Sequence, residues 1–249
     1  MRDGFRIFDA HTHLGTARHS GRRFTASRML AWMDASGIDR ALVIPFPVVE
    51  DYREAHDEIG AAVRAWPDRL AGAACLPPWQ LSEREFHDEV RRTVERFGFR
   101  ALKLQPQYHG LNPISPRSDF FFETALELGL TLVCHTGAGA PFALPSLFIL
   151  PARRFPELRI VLAHSGGGIY SAEAIVAASV CPNIYLELST LLPHQVAEVL
   201  AHIPAGRTMI GSDLPENAAT EIGKILALDI AEEAKREILF NTAASLFGV

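Results

Sequence analysis

The chain is short of cysteine, has no run of basic residues and no long apolar stretch, and each shortage removes a class of protein. Its three cysteines, Cys75, Cys134 and Cys181, are odd in number and widely spaced, which excludes a disulfide framework and zinc-finger spacing. They read as reduced core residues of a cytoplasmic protein. A net charge of −5 without a Lys/Arg tract argues against a nucleic-acid partner. No apolar run approaches the length of a membrane span, and Met1-Arg-Asp-Gly4 leads into a strand without a secretory pattern, so a cytoplasmic location and no membrane partner are expected. Interdomain linkers, low-complexity tracts and internal repeats are lacking too, so residues 1–249 are read as a single domain.

What is present is an alternation. Eight short apolar runs, at about 5–11, 41–46, 70–76, 100–105, 131–135, 159–164, 184–189 and 207–212, read as strands. Several are almost continuously apolar, such as Ala41-Leu-Val-Ile-Pro45, as strands buried on both faces should be. Between them lie amphipathic segments at about 27–36, 54–66, 82–98, 119–129, 169–180 and 193–202, with two more in 217–247. The clearest is 82–98. There Ser82 and Glu85 suit a capping box, Phe86, Val90, Val94 and Phe97 share a face, and Gly98 closes the helix. Strand and helix in repeated alternation imply a parallel sheet with right-handed crossovers. With 48% hydrophobic residues in 249, eight repeats favour an α/β fold closed as one (β/α)8 TIM barrel.

Polar residues close these apolar runs. His11 and His13 follow the first strand as Asp9-Ala-His-Thr-His13, His135 ends the fifth, His164 the sixth, and Asp213 the eighth. Two residues apart in extended chain, His11 and His13 point to one face. Alternation pairs His135 with Val133, His164 with Leu162, and Asp213 with Gly211 and Met209. Buried imidazoles are costly without partners, whereas a divalent cation uses them directly. Each alone also fits a polar strand cap; together they favour a shared metal. Lys103 shares a face with Ala101 and Gln105 and so points inward, where it needs a partner. Glu187 faces inward with Tyr185 and Ser189, either as a partner orienting Lys103 or His164 or as one half of a structural ion pair.

These pieces resemble the amidohydrolase superfamily, in its amidohydrolase-2 branch. The matching segments are Asp9-Ala-His-Thr-His13, Gly98-Phe-Arg-Ala-Leu-Lys-Leu104, His135-Thr-Gly137, Ala163-His-Ser-Gly-Gly167, Asn183-Ile-Tyr-Leu-Glu187, Gly211-Ser-Asp-Leu-Pro215 and Asn241-Thr-Ala-Ala-Ser-Leu-Phe247. The resemblance implies a divalent metal, most often one zinc ion, held by His11, His13, His135 and Asp213. It implies His164 beside it as an acid/base, with Asp213 also taking a proton from water. In binuclear members a carboxylated lysine, here Lys103, bridges two metals; as a cation, Lys103 would anchor a carboxylate or an oxyanion. Where relatives carry histidine, this chain has Gln105.

Two reactions use such a scaffold on a small molecule. The first expectation is hydrolysis of an amide, ester or lactone by metal-activated water. The other is non-oxidative decarboxylation of an aromatic or unsaturated acid. Hydrolysis leads because no aromatic-lined pocket is legible in the loops. A barrel that only binds a ligand, or works without metal, is the third alternative. Arg22 and Arg23, in the basic loop after the first strand, suit either an anionic substrate or solvent. Tyr108 and His109 follow the fourth strand, where they could contact substrate. His19, His56, His87, His194 and His202 are given no role. The resemblance also raises the expectation of a homodimer.

Overall fold

The computed structural model describes residues 1–248. Eight parallel strands follow one another around a barrel: β1 (Phe8–Thr16), then, after a short antiparallel β2 (Arg23–Phe24), β3 (Arg40–Pro45), β4 (Leu70–Ala74), β5 (Ala101–Leu104), β6 (Thr131–His135), β7 (Ile160–Ala163), β8 (Ile184–Glu187) and β9 (Thr208–Met209). The ring closes where Ala10 N donates to Ile210 O at 3.0 Å and Asp213 N donates to His11 O at 2.7 Å. This is the expected TIM barrel.

Helices follow the strands: α1 (Ala26–Ser36), α2 (Tyr52–Ala65), α3 (Glu83–Phe97), the short α4 (Pro106–His109), α5 (Asp119–Glu127), α6 (Ile149–Arg154), α7 (Ser171–Val180), α8 (Pro193–His202) and α9 (Ala218–Ala227). A final α10 (Glu232–Arg236), a π-helical turn (Glu237–Asn241) and α11 (Thr242–Phe247) run continuously. Helix α3 carries the expected capping box between Ser82 and Glu85, and Gly98 ends it in the left-handed region with φ 68°. Two helices were not legible in the sequence. α4 is a single turn, and α6 is six residues with Pro151 inside it, both too short to set up an apolar period.

The apolar residues divide into two layers by strand alternation. Leu42, Ile44, Ala73, Ala101, Val133, Val161 and Met209 fill the barrel interior, while Ala41, Val43, Leu102, Leu132 and Leu162 face the helices. Phe240 and Phe247 plug the N-terminal end against Phe8, with ring centroids 6.0 and 5.9 Å away. Each such buried ring contributes roughly 2–3 kcal/mol of transfer free energy. The polar residues are left at the other end, where the strands finish.

Alternation fails at two positions. Between Asp9 and Thr12 the pairing with β3 slips by one residue, so Ala10 and His11 both turn inward. Leu162 faces the helices, contrary to the shared face expected for Leu162 and His164. His164 reaches the interior because β7 ends at Ala163 and the chain turns, with Ser165 at φ 51° and Gly167 N donating to His164 O at 2.9 Å.

All three cysteines are free and buried. Among the described residues no helix is long and apolar enough to cross a membrane.

Candidate metal centre

Glu187 is the base on which the site is built. Wholly buried at the end of β8, its Oε1 accepts from Ser189 N at 2.7 Å and its Oε2 from Ser189 Oγ at 2.8 Å. His11 Nδ1 lies 3.3 Å from Oε2, and His164 Nδ1 lies 2.6 Å from Ser189 Oγ and 3.5 Å from Oε2. This network assigns the protons: both imidazoles carry hydrogen on Nδ1 and turn an Nε2 lone pair to the cavity. Glu187 thus holds two histidines rather than Lys103.

Around these Nε2 atoms the remaining groups converge. Asp213 Oδ1 is 3.7 Å from His11 Nε2 and 3.3 Å from His13 Nε2. Ligand atoms of His11, His164 and Asp213 all fall within 4.8 Å of one another. His13 is oriented by Pro45 O, 3.2 Å from its Nδ1, and stacks on Phe46 with centroids 5.1 Å apart. His135 packs edge-on against His164 at 5.0 Å, but its Nε2 is turned to Ala138 O at 2.7 Å. Lys103, buried, donates from Nζ to His11 Nε2 at 2.8 Å.

Burial sets the protonation states. It drives His164 down to about 3, His135 to about 4 with help from Lys103, and His11 well below its ordinary value. The Lys103 ammonium is also disfavoured, first by burial. Burial alone would raise Asp213, but its hydrogen bond with His13 holds it below the usual carboxylate range. Unprotonated His11, His135 and His164 beside an ionised Asp213 are the state in which such groups ligate a divalent cation, so the donor chemistry fits one.

Three supports were missed in the sequence. Asp9 accepts from His11 N at 3.1 Å and Ser212 N at 2.9 Å, tying the two ligand-bearing segments together. Burial pushes its carboxyl up to about 7 against those hydrogen bonds. Its place two residues before His11 was the available signal. Ser189 relays Glu187 to His164. Gly211 leaves the space that His11 and Glu187 occupy, since a Cβ there would stand 2.7 Å from His11 Cβ and 2.9 Å from Glu187 Oε1.

The cavity over this cluster, about 180 Å³, is lined by His11, His13, Lys103, Gln105, His164 and Asp213 below, and by Phe46, Pro47, Tyr108 and His19 towards the mouth. His19, which had no expected role, stacks on Tyr108 with centroids 5.9 Å apart. His109 is buried behind the wall, where its Nδ1 accepts from Gln105 N at 3.3 Å. Arg22 is held by Glu216 through two hydrogen bonds of 2.7 and 2.5 Å. His56 is not in a polar surface setting; it is buried against Glu89 at 2.9 Å, away from the centre.

A closed barrel of eight parallel strands with its polar centre at their C-terminal ends places the protein among the TIM barrels. The chain belongs to the amidohydrolase family, whose description its residues 8–249 match. The sequence matches no curated protein. Among solved structures it is similar to an uncharacterized TIM-barrel protein from Bordetella bronchiseptica (19% identity, TM-score 0.80, 98% of this chain and 99% of that one). It is also similar to 5-carboxyvanillate decarboxylase from Novosphingobium aromaticivorans, complexed with manganese and 4-hydroxy-3-methoxy-5-nitrobenzoic acid (17%, TM-score 0.80, 99% and 97%). A third is 4-oxalomesaconate hydratase from Rhodopseudomonas palustris (17%, TM-score 0.74, 97% and 95%). At such identities the likeness is one of fold.

Proposed function

We propose that this amidohydrolase-family protein is a metal-dependent, non-oxidative decarboxylase of a small aromatic or unsaturated carboxylic acid. The observation that carries this is the aromatic wall of the cavity: Phe46 backs His13, and the Tyr108–His19 stack stands across the mouth. The ground for placing hydrolysis first was the lack of such a wall, so the order of the two readings reverses. The decarboxylase and hydratase among the similar folds support the change.

His11, His13 and Asp213 would hold a divalent cation, with His135 completing the set and His164 left beside it. The manganese of the similar decarboxylase supports a divalent ion without favouring zinc. When bound, such an ion would supply positive charge that orients the acid and stabilises the negative charge developing on the substrate.

The protein's own groups account for the rest. Decarboxylation breaks the bond between the substrate carbon and its carboxyl carbon, leaves the electron pair on the former, releases carbon dioxide and places a proton on that carbon. His164 presents Nε2 to the cavity while Nδ1 is tied through Ser189 to Glu187. An imidazolium formed at Nε2 is steadied by that carboxylate, so proton delivery to the substrate carbon is assigned to His164. Lys103 lies at the cavity floor as a hydrogen-bond donor. Phe46 and Tyr108 offer the ring of the acid apolar contact.

The test is a panel of aromatic and unsaturated acids offered to manganese- or zinc-loaded protein, following carbon dioxide, beside lactones and amides. Release that is lost on chelation and restored by a divalent ion is the expected result. Turnover of a lactone or amide without carbon dioxide from any acid would overturn it in favour of hydrolysis. Less than about a tenth of an equivalent of metal in protein purified without added metal, with no rescue, would remove the metal reading altogether.

A further inference from the structure

Gln105 is a buried amide with nothing to bind. It is 8% exposed, it lines the cavity, and its Oε1 is buried without a partner. The other buried polar side chains of that wall are all engaged: His11 with Glu187 and Lys103, His13 with Pro45 O, and His164 with Ser189. The Gln105 side chain makes no hydrogen bond to protein at either end, among the described residues.

Its backbone, by contrast, is fixed on both sides. Gln105 N donates to His109 Nδ1 at 3.3 Å, and Gln105 O accepts from His109 N at 2.9 Å. His109 is itself buried against Cys75, with Nε2 3.9 Å from Sγ. The turn from β5 into α4 is therefore clamped while the amide it presents stays unpaired. An unpaired buried amide is destabilising, and the cost is removed when a ligand supplies the missing partner. The surrounding wall of Phe46, Pro47, Tyr108 and Leu214 offers apolar contact to a ring, so a polar substituent on that ring has the Gln105 amide to meet.

We infer that Gln105 is a specificity-determining residue whose amide hydrogen-bonds a hydroxyl substituent on the ring of the bound acid. The hydroxyl accepts from Nε2 or donates to Oε1, and both ends are free. This deepens the proposed decarboxylase reading and rests on it for the ring-bearing acid, but not for turnover.

The test is equilibrium binding, so that it survives if no reaction is found. Calorimetry on the manganese-loaded protein would compare benzoate with 2-, 3- and 4-hydroxybenzoate, in the wild type and in Gln105→Met and Gln105→Leu, each checked for folding by circular dichroism and for bound manganese. At least one hydroxybenzoate should bind the wild type about tenfold more tightly than benzoate, the scale of one neutral hydrogen bond in a desolvated site. Either folded variant should lose that advantage while keeping its affinity for benzoate and its manganese. A wild type that does not favour any hydroxybenzoate, or folded variants that keep the preference, would overturn the inference. Hydroxyl preference lost in the variants, with no carbon dioxide released by the wild type, would leave this assignment standing and sink the decarboxylase.

Discussion

Glu187 Oε2 lies 3.3 Å from His11 Nδ1, and the same oxygen reaches His164 through Ser189. One buried carboxylate from β8 therefore fixes the tautomer of histidines from β1 and from the end of β7. Replacing it with an amide of equal size, Glu187→Gln, removes the charge and one acceptor oxygen. Affinity for a divalent ion should fall about 10- to 100-fold with the fold intact, as chelator competition would measure. Unchanged affinity would mean the carboxylate is only a structural anchor.

Gly211 makes the contact between those residues possible. In Gly211→Ala the new methyl would stand 2.7 Å from His11 Cβ, an atom fixed to the backbone, and 2.9 Å from Glu187 Oε1. Stability should drop by about 1–3 kcal/mol in urea unfolding, and metal affinity should drop with it. A variant as stable as the parent would show that the barrel wall yields more easily than close packing implies.

Away from the centre, Glu89 is buried beneath His56 and Arg92, with hydrogen bonds of 2.9 and 2.8 Å. Burial alone would raise its carboxyl, but His56 and then Arg92 pull it down to about 2 from an ordinary 4.5. The folded state thus binds this proton more weakly than the unfolded chain. The stabilisation is complete above pH 4.5 and fades as pH falls towards about 2. Glu89→Gln should be less stable than the wild type at pH 7 by about 3 kcal/mol, and the gap should close over that acid window in pH-dependent denaturant unfolding. A gap independent of pH would point to lost packing instead.

Arg22, open to a reading as substrate anchor or as solvated loop residue, forms a surface ion pair with half-exposed Glu216. Arg22→Ala should cost less than about 1 kcal/mol of stability, the usual scale for a surface pair. It should change KM for an acid substrate by less than about threefold. A tenfold rise in KM would put the guanidinium back among the substrate contacts.

The barrel was legible because burial on both faces writes itself into sequence. Near-continuous apolar runs, separated by helical periods that end at Gly98 or start at Ser82, leave few other solutions. The polar strand ends were legible for the same reason, since charged or imidazole groups closing apolar runs stand out. Lys103 and Glu187 were placed inward by alternation, and the structure has them there.

Which residue holds which was not legible. The one-residue slip in β1 and the early end of β7 depend on neighbouring strands, so alternation misplaced Leu162 relative to His164. The aromatic wall joins Phe46 after β3, His19 before β2 and Tyr108 in α4, three segments with no shared pattern. A parallel barrel and the set of groups at its rim can be read from the residues in order, because hydrophobic periodicity is a local property. That Glu187 serves His11 and His164, that Arg22 is tied to Glu216, and that Gln105 is left unpaired emerges only in three dimensions, because hydrogen bonding depends on distances between segments far apart in the chain.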